Sequence, residues 1–194
     1  MKVPKLSIPN AIFLQCDIQE KFIPRIHRIN SVIHTAKILN KTANLFQIPL
    51  IISEQAPRSL GVTPNEIKAT YPKNQTFYFE KTRYSMWPQV FPFAEITNRF
   101  AFVLYGIEGH VCVLQTAIDL REKGYNVYIP VEGVSSSRPL DRSTGLRRME
   151  SEGCKLNTYE GIMMELQKDI SGKDFKPFLE LLKEKRPDDL LDTL

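Results

Sequence analysis

Residues Ala101–Gly124 read AFVLYGIEGHVCVLQTAIDLREKG, and the fold turns on how this stretch divides. Ala101 to Tyr105 form a short run that is apolar throughout instead of alternating, the pattern of a strand covered by helices on both faces. A helix is predicted from about Val111 to Lys123, where apolar residues recur at helical spacing. A strand running into a helix in this way is half of a parallel crossover.

The same alternation extends outward in both directions. Upstream, Ala11 to Cys16 reads as a strand, Ile29 to Phe46 as a helix, and Pro49 to Ser53 and Thr76 to Phe79 as further strands. Downstream, Asn126 to Val131 and Cys154 to Thr158 supply the fifth and sixth strands, with helical segments near Asp141 to Ser151 and Tyr159 to Asp169. Repeated strand–helix units predict an α/β fold with a doubly wound parallel sheet and right-handed crossovers. The stretch Glu54 to Gln75 lacks clear periodicity, carries Pro57, Gly61, Pro64 and Pro72, and reads as an active-site loop. The closing KEKRPDDLLDTL reads as a solvated charged end. With 194 residues, the chain fits one domain spanning 1–194, its core at about 11–182.

Composition narrows the function. Hydrophobic residues make up 42% and charged residues 25%, as in a globular protein. The 26 basic and 22 acidic residues are scattered, so the net charge of +4 does not indicate nucleic acid. Three widely separated cysteines match neither a disulfide framework nor a zinc motif. The start, MKVPKLSIPN, lacks the apolar stretch of a secretory signal, and no long apolar run spans a membrane. The expected compartment is the reducing cytosol, with mitochondria as the alternative. Glycosylation patterns at Asn40 and Asn74 are then chance matches.

In a doubly wound sheet, ligands bind beyond the carboxyl ends of the strands. Asp17 follows the first strand directly, Lys81 stands two residues past the third, and Cys112 falls in the first turn of the helix after the fourth. A helix N-terminus offers a thiol free N–H groups and a positive dipole end, both of which favour the nucleophilic thiolate. Asp17 near Lys81 keeps both groups charged. Cys16 and Cys154 lie in or at the start of strands and read as small buried hydrophobes. His110 suggests a rival Cys–His couple, but residues two apart on a helix do not face each other. His27 and His34 read as surface residues, and no histidine cluster suggests a metal. Gly61, Gly106 and Gly109 form no phosphate-binding motif. Ser135 to Pro139, with Asp141 and Arg142, reads as a polar capping loop. Phe22, Tyr84, Met86 and Trp87 fit a pocket wall or the core. Phe22, Gln55, Tyr84, Trp87 and Ile107 stand as pocket candidates.

The segments CDIQEKF (16–22), FEKTRYSMW (79–87) and GIEGHVCVLQTAIDLREKG (106–124), in this order, resemble the aspartate, lysine and cysteine motifs of the isochorismatase-like cysteine hydrolases. That superfamily includes nicotinamidases and N-carbamoylsarcosine amidase. The resemblance runs from roughly Ala11 to Leu182. SEQAPRSLGVTPNE (53–66) and the triplet Ser136, Ser137, Arg138 look most like the isochorismatase domain-containing proteins. The resemblance implies a three-layer α/β/α fold with six parallel strands and a Cys112–Asp17–Lys81 triad. It also implies a non-proline cis peptide at Ile107–Glu108, and an oxyanion site formed by the backbone N–H groups of Glu108 and Cys112. The implied activity is cleavage of an amide or related carbonyl bond in a small molecule through a thioester, without a cofactor, by a homo-oligomer. The loop after the second strand holds no histidine that matches the nicotinamidase metal ligands, so a metal is not expected. Position 132 is Glu where many relatives carry Asp, which leaves that loop's role open. Isochorismatases proper cleave a vinyl ether and can lack the cysteine, so Cys112 points to acyl chemistry. Two alternatives stand beside this reading: a binding or scaffold protein of the same fold, and an RNA-binding member, since related protozoan sequences carry a ribonuclease label.

Overall fold

The computed structural model describes residues 5–188. Six parallel strands form the sheet: β1 (Ala11–Cys16), β2 (Leu50–Gln55), β3 (Thr76–Lys81), β4 (Ala101–Gly106), β5 (Asn126–Pro130) and β6 (Lys155–Asn157). Eight α-helices are described: α1 (Ile29–Phe46), α2 (Pro57–Leu60), α3 (Asn65–Lys68), α4 (Trp87–Thr97), α5 (Cys112–Glu122), α6 (Pro139–Ser151), α7 (Tyr159–Gln167) and α8 (Phe175–Leu182). None of the described helices is long and apolar enough to cross a membrane.

The spatial strand order is β3-β2-β1-β4-β5-β6. The order reverses between β1 and β4, so their carboxyl ends flank the switch point where such sheets bind ligands. Register brings three residues to one depth there: Cys16 pairs with Ser53 of β2 on one side and with Gly106 of β4 on the other.

Strand alternation divides the core between two faces. Ala11 and Phe13 of β1 join the cluster that includes Val32, Ala36 and Leu39 of α1, Ile162 of α7 and Phe178 of α8. Ile12, Leu14 and Cys16 join the cluster with Val90 of α4, Val113 of α5 and Leu146 of α6. Helix α1 buries Val32, Ala36, Leu39, Ala43 and Phe46, a stripe spaced four, three, four and three residues apart, as one face of a 3.6-residue period requires.

Several elements differ from the sequence reading. β3 extends to Lys81, because Glu80 and Lys81 pair with Glu54 and Gln55 of β2. It is an edge strand, so Phe77 and Tyr78 are exposed rather than covered on both faces. Helix α4 escapes the periodicity because Pro92 lies inside it, while Pro88 sits in its first turn, where a missing N–H is tolerated. The unpatterned stretch after β2 contains the short helices α2 and α3. Buried Glu54 pins it, accepting from the Thr63 N–H at 2.7 Å and the Tyr78 hydroxyl at 2.9 Å. Part of the charged end is anchored: Glu184 pairs with Lys41 at 2.6 Å, and Arg186 pairs with Glu160. Residues 189–194 of that end lie outside the described residues.

Glu132 follows β5 in a buried single turn and accepts the Tyr159 N–H at 3.0 Å, satisfying a donor at the start of α7. Burial raises the Glu132 pKa, against the opposing pull of its backbone hydrogen bonds. A carboxyl raised in the folded state binds its proton more tightly there. The resulting stability is present below the ordinary carboxylate pKa and is lost as pH rises through the folded value. Glu132→Gln keeps an acceptor and removes the charge. The expected result is that its melting temperature gains on the wild type between about pH 4 and about pH 7. A constant difference across that range would contradict the assignment.

Candidate active site

Asp17 is the first residue beyond β1 and adopts a left-handed backbone, φ 48°. Its N–H donates to the Ser53 carbonyl at 3.2 Å. The two carboxylate oxygens have separate partners. The Ser53 hydroxyl donates to Oδ1 at 2.7 Å, and Lys81 Nζ donates to Oδ2 at 2.6 Å.

Lys81 closes β3, two strands from β1, and its side chain crosses the end of β2 to reach Asp17. Gln55 Oε1 accepts from the same ammonium at 2.7 Å, with the carbonyls of Tyr84 at 2.9 Å and Arg83 at 3.2 Å. The Lys81 and Asp17 side chains are each 1% exposed. Burial works against the ammonium, but Cys16, Asp17 and Cys112 around it outweigh that effect and raise the Lys81 pKa.

Cys112 is the first residue of α5 and is 8% exposed. Cys16 is buried as the sequence suggested, in the same core cluster as Cys112. Burial first, then the neighbouring Cys112 and the Asp17 charge, push the Cys16 thiol well above its ordinary pKa. Cys154 lies elsewhere, and burial pushes it up to about 12.

The loop from β4 to α5 is tightly constrained. Gly106 has φ 126°, and a Cβ there would stand 2.0 Å from the Cys16 carbonyl oxygen, so only glycine fits. The Ile107 N–H donates to that carbonyl at 3.0 Å, and the Ile107–Glu108 peptide is cis. The Glu108 carbonyl accepts from Val111 and Val113 at 3.0 and 3.2 Å, and the Gly109 N–H donates to the Ser135 carbonyl at 2.8 Å. The Glu108 and Cys112 amides donate to no acceptor among the described residues.

The remaining sequence candidates separate. His110 Nδ1 lies 3.0 Å from the Ser136 hydroxyl, so its ring is engaged there. The Glu108 carboxylate accepts from the Ser137 N–H and hydroxyl at 2.8 and 3.0 Å. Ile107 is fully buried in the α1-side core, and Phe22 packs partly buried against it. Trp87 packs against Phe91 and Tyr125, ring centroids at 5.2 and 5.5 Å. Gln55 binds Lys81 and donates to the Thr82 carbonyl at 2.8 Å. Tyr84 offers its carbonyl to Lys81 while its side chain is exposed. Ser53, which bonds Asp17, was no sequence candidate, and Cys16, read as a small buried hydrophobe, stands next to the same group. Their only signal was position, each at or near the carboxyl end of a strand.

A cavity of about 300 Å³ opens beside Lys81, lined by Glu80, Thr82, Arg83, Pro88 and others. A larger groove of about 520 Å³ lies between α1 and residues 184–188 and touches none of Asp17, Lys81 and Cys112. No three His, Cys, Asp or Glu side chains among the described residues form a group able to hold a metal.

Comparison with known proteins gives consistent matches. A family model described as the isochorismatase domain matches residues 11–160. Isochorismatase family protein 1B of Dictyostelium discoideum is 37% identical over 98% of this chain and 92% of its own. The solved structure of the MAR1 ribonuclease from Caenorhabditis elegans is 36% identical, covers 98% of both chains and superimposes with a TM-score of 0.90. A hydrolase from Escherichia coli, described as octameric and of unknown specificity, shares the fold at 20% identity, with a TM-score of 0.82 over 93% of this chain and 92% of its own.

Removing one partner of a buried ion pair leaves a charge without compensation. Lys81→Met is therefore expected to destabilise the protein by about 3–5 kcal/mol in urea unfolding. Adding Asp17→Asn to Lys81→Met should recover part of that loss. A loss for Lys81→Met below about 1 kcal/mol, as for an exposed pair, would contradict the buried geometry.

Proposed function

Because the chain belongs to the isochorismatase family, we propose that it is a cysteine hydrolase that cleaves an amide or related carbonyl bond of a small molecule. The observation that carries this reading is the buried Lys81–Asp17 pair beside a cysteine that opens a helix. Lys81 holds the Asp17 carboxylate in place. Asp17 takes the proton from the Cys112 thiol, and the thiolate attacks the substrate carbonyl carbon. The Glu108 and Cys112 amides, which have no other acceptor among the described residues, donate to the oxyanion. Asp17 passes its proton to the leaving nitrogen as the C–N bond breaks, leaving a thioester on Cys112. Water, deprotonated by Asp17, then attacks the thioester. The carboxylic acid departs, and the proton on Asp17 returns to the Cys112 thiolate. No cofactor enters the scheme.

The chain is further proposed to work in the cytosol as a homo-oligomer, the exposed Phe77 and Tyr78 on the edge strand β3 favouring assembly. The ribonuclease name of the Caenorhabditis elegans structure supplies the rival reading. A ribonuclease engages phosphates, and its affinity falls steeply with salt.

The test is ammonia release from a panel of small primary amides and N-carbamoyl compounds, run beside cleavage of a labelled RNA at low and high salt. The expected outcome is turnover of at least one amide, reduced by at least about a thousandfold in Cys112→Ala, with the RNA intact. Undiminished turnover in Cys112→Ala, or salt-sensitive RNA cleavage without amide turnover, would overturn the proposal.

A further inference from the structure

We infer that Ser53 is a positioning residue for the proton-transferring carboxylate of Asp17; this rests on the cysteine hydrolase reading above. Ser53 stands near the carboxyl end of β2, after Leu50, Ile51 and Ile52, and all four residues are buried. A hydroxyl in such an apolar layer carries a desolvation cost unless it finds a partner. Several other buried hydroxyls here donate to neutral backbone carbonyls, as Ser31 does to Glu132 at 2.8 Å. Thr42 and Thr116 each donate to the carbonyl four residues earlier in their helices, at 2.9 and 2.7 Å. Ser53 instead donates across the strand boundary to a charged oxygen at 2.7 Å.

The geometry gives that bond a specific use. Lys81 grips only Oδ2, which leaves the carboxylate plane free to turn about that contact. Ser53 holds Oδ1, so two donors on two strands fix the plane. Ser53 also accepts the Asp17 N–H on its carbonyl at 3.2 Å, so one residue sets both the backbone and the side chain of Asp17. Each carboxylate oxygen has two lone pairs. With one taken on each side, the others stay available for the Cys112 proton and for water. The β1–β2 register makes this possible, because it pairs Ser53 with Cys16, the residue before Asp17. Ser53 therefore touches no reacting atom in the scheme and acts through Asp17.

The test is the alkylation rate of Cys112 by iodoacetamide against pH, resolved by peptide mass spectrometry in the full chain. The proteins are the wild type, Asp17→Asn, Ser53→Ala and Ser53→Thr. In Asp17→Asn the neutral-pH reactivity of Cys112 should fall and its profile move to higher pH, because the base is gone. Ser53→Ala should move the profile the same way, with a loss of about tenfold near neutrality, the scale of one hydrogen bond to a charged group. Ser53→Thr keeps the hydroxyl and should return the rate to within about twofold of the wild type. If Asp17→Asn shifts the profile but Ser53→Ala matches the wild type, the positioning role is overturned while the hydrolase reading stands. A Ser53→Ala shift that Ser53→Thr fails to reverse overturns it as well, because packing and not the hydroxyl is then at work. An unchanged Asp17→Asn profile instead sinks the hydrolase reading on which the inference rests. Should Ser53→Ala not fold, Ser53→Cys, similar in size but a weak donor, takes its place, with the added thiol resolved by its own peptide.

Discussion

Lys81 and Asp17 meet at 2.6 Å with both side chains closed to water, and the rest of the site depends on that contact. Taking two charges out of water costs several kcal/mol for each ion and is repaid only if the remaining donors and acceptors are also satisfied. Here they are: the ammonium reaches Gln55 and two loop carbonyls, and the carboxylate reaches Ser53. The pair and its partners come from the end of β1, from β2, from β3 and from the turn after β3, so the pair can form only when three adjacent parallel strands end at matched depths. The register of the sheet is thus a condition for the site's chemistry.

The other half of the site is built from the opposite side of the switch point. β4 lies next to β1, and Gly106 lets its backbone pass so close to Cys16 that no side chain could be accommodated. The cis peptide and the bonds from Val111 and Val113 to the Glu108 carbonyl shape the turn into α5. Cys112 then opens the helix, where the dipole and the free amides favour a developing negative charge. Cys16 joins the halves, since it pairs with Gly106 of β4, shares a buried cluster with Cys112 and is followed by Asp17. This convergence at one switch point underlies the hydrolase reading.

Much of this was legible in the sequence. The bounds of β1 and α1 match the reading from apolar runs and helical spacing, because each element carries its own periodic signal. Asp17, Lys81 and Cys112 stood out as candidates because polar or reactive residues just past apolar strands have few structural reasons to be there. The partners of those residues were hidden. Ser53 reads as one more strand residue, and only the order β3-β2-β1 brings its hydroxyl to Asp17. Gln55 read as a pocket residue, yet the extension of β3 to Lys81 makes it a lysine partner. His110 stands two residues from Cys112 in sequence, but the turn commits its ring to Ser136. Adjacency across strands is a tertiary property, and local pattern does not carry it.

The proposed hydrolase chemistry requires that Cys112 become acylated. The most direct measurement is peptide mass spectrometry after brief reaction with an activated acyl ester such as p-nitrophenyl acetate, trapped by acid quench. The expected result is an acyl group on the Cys112 peptide of the wild type, strongly reduced in Asp17→Asn, with Cys16 and Cys154 unmodified. Acylation spread evenly over the three cysteines, or equal labelling of Cys112 with and without the Asp17 carboxylate, would contradict it.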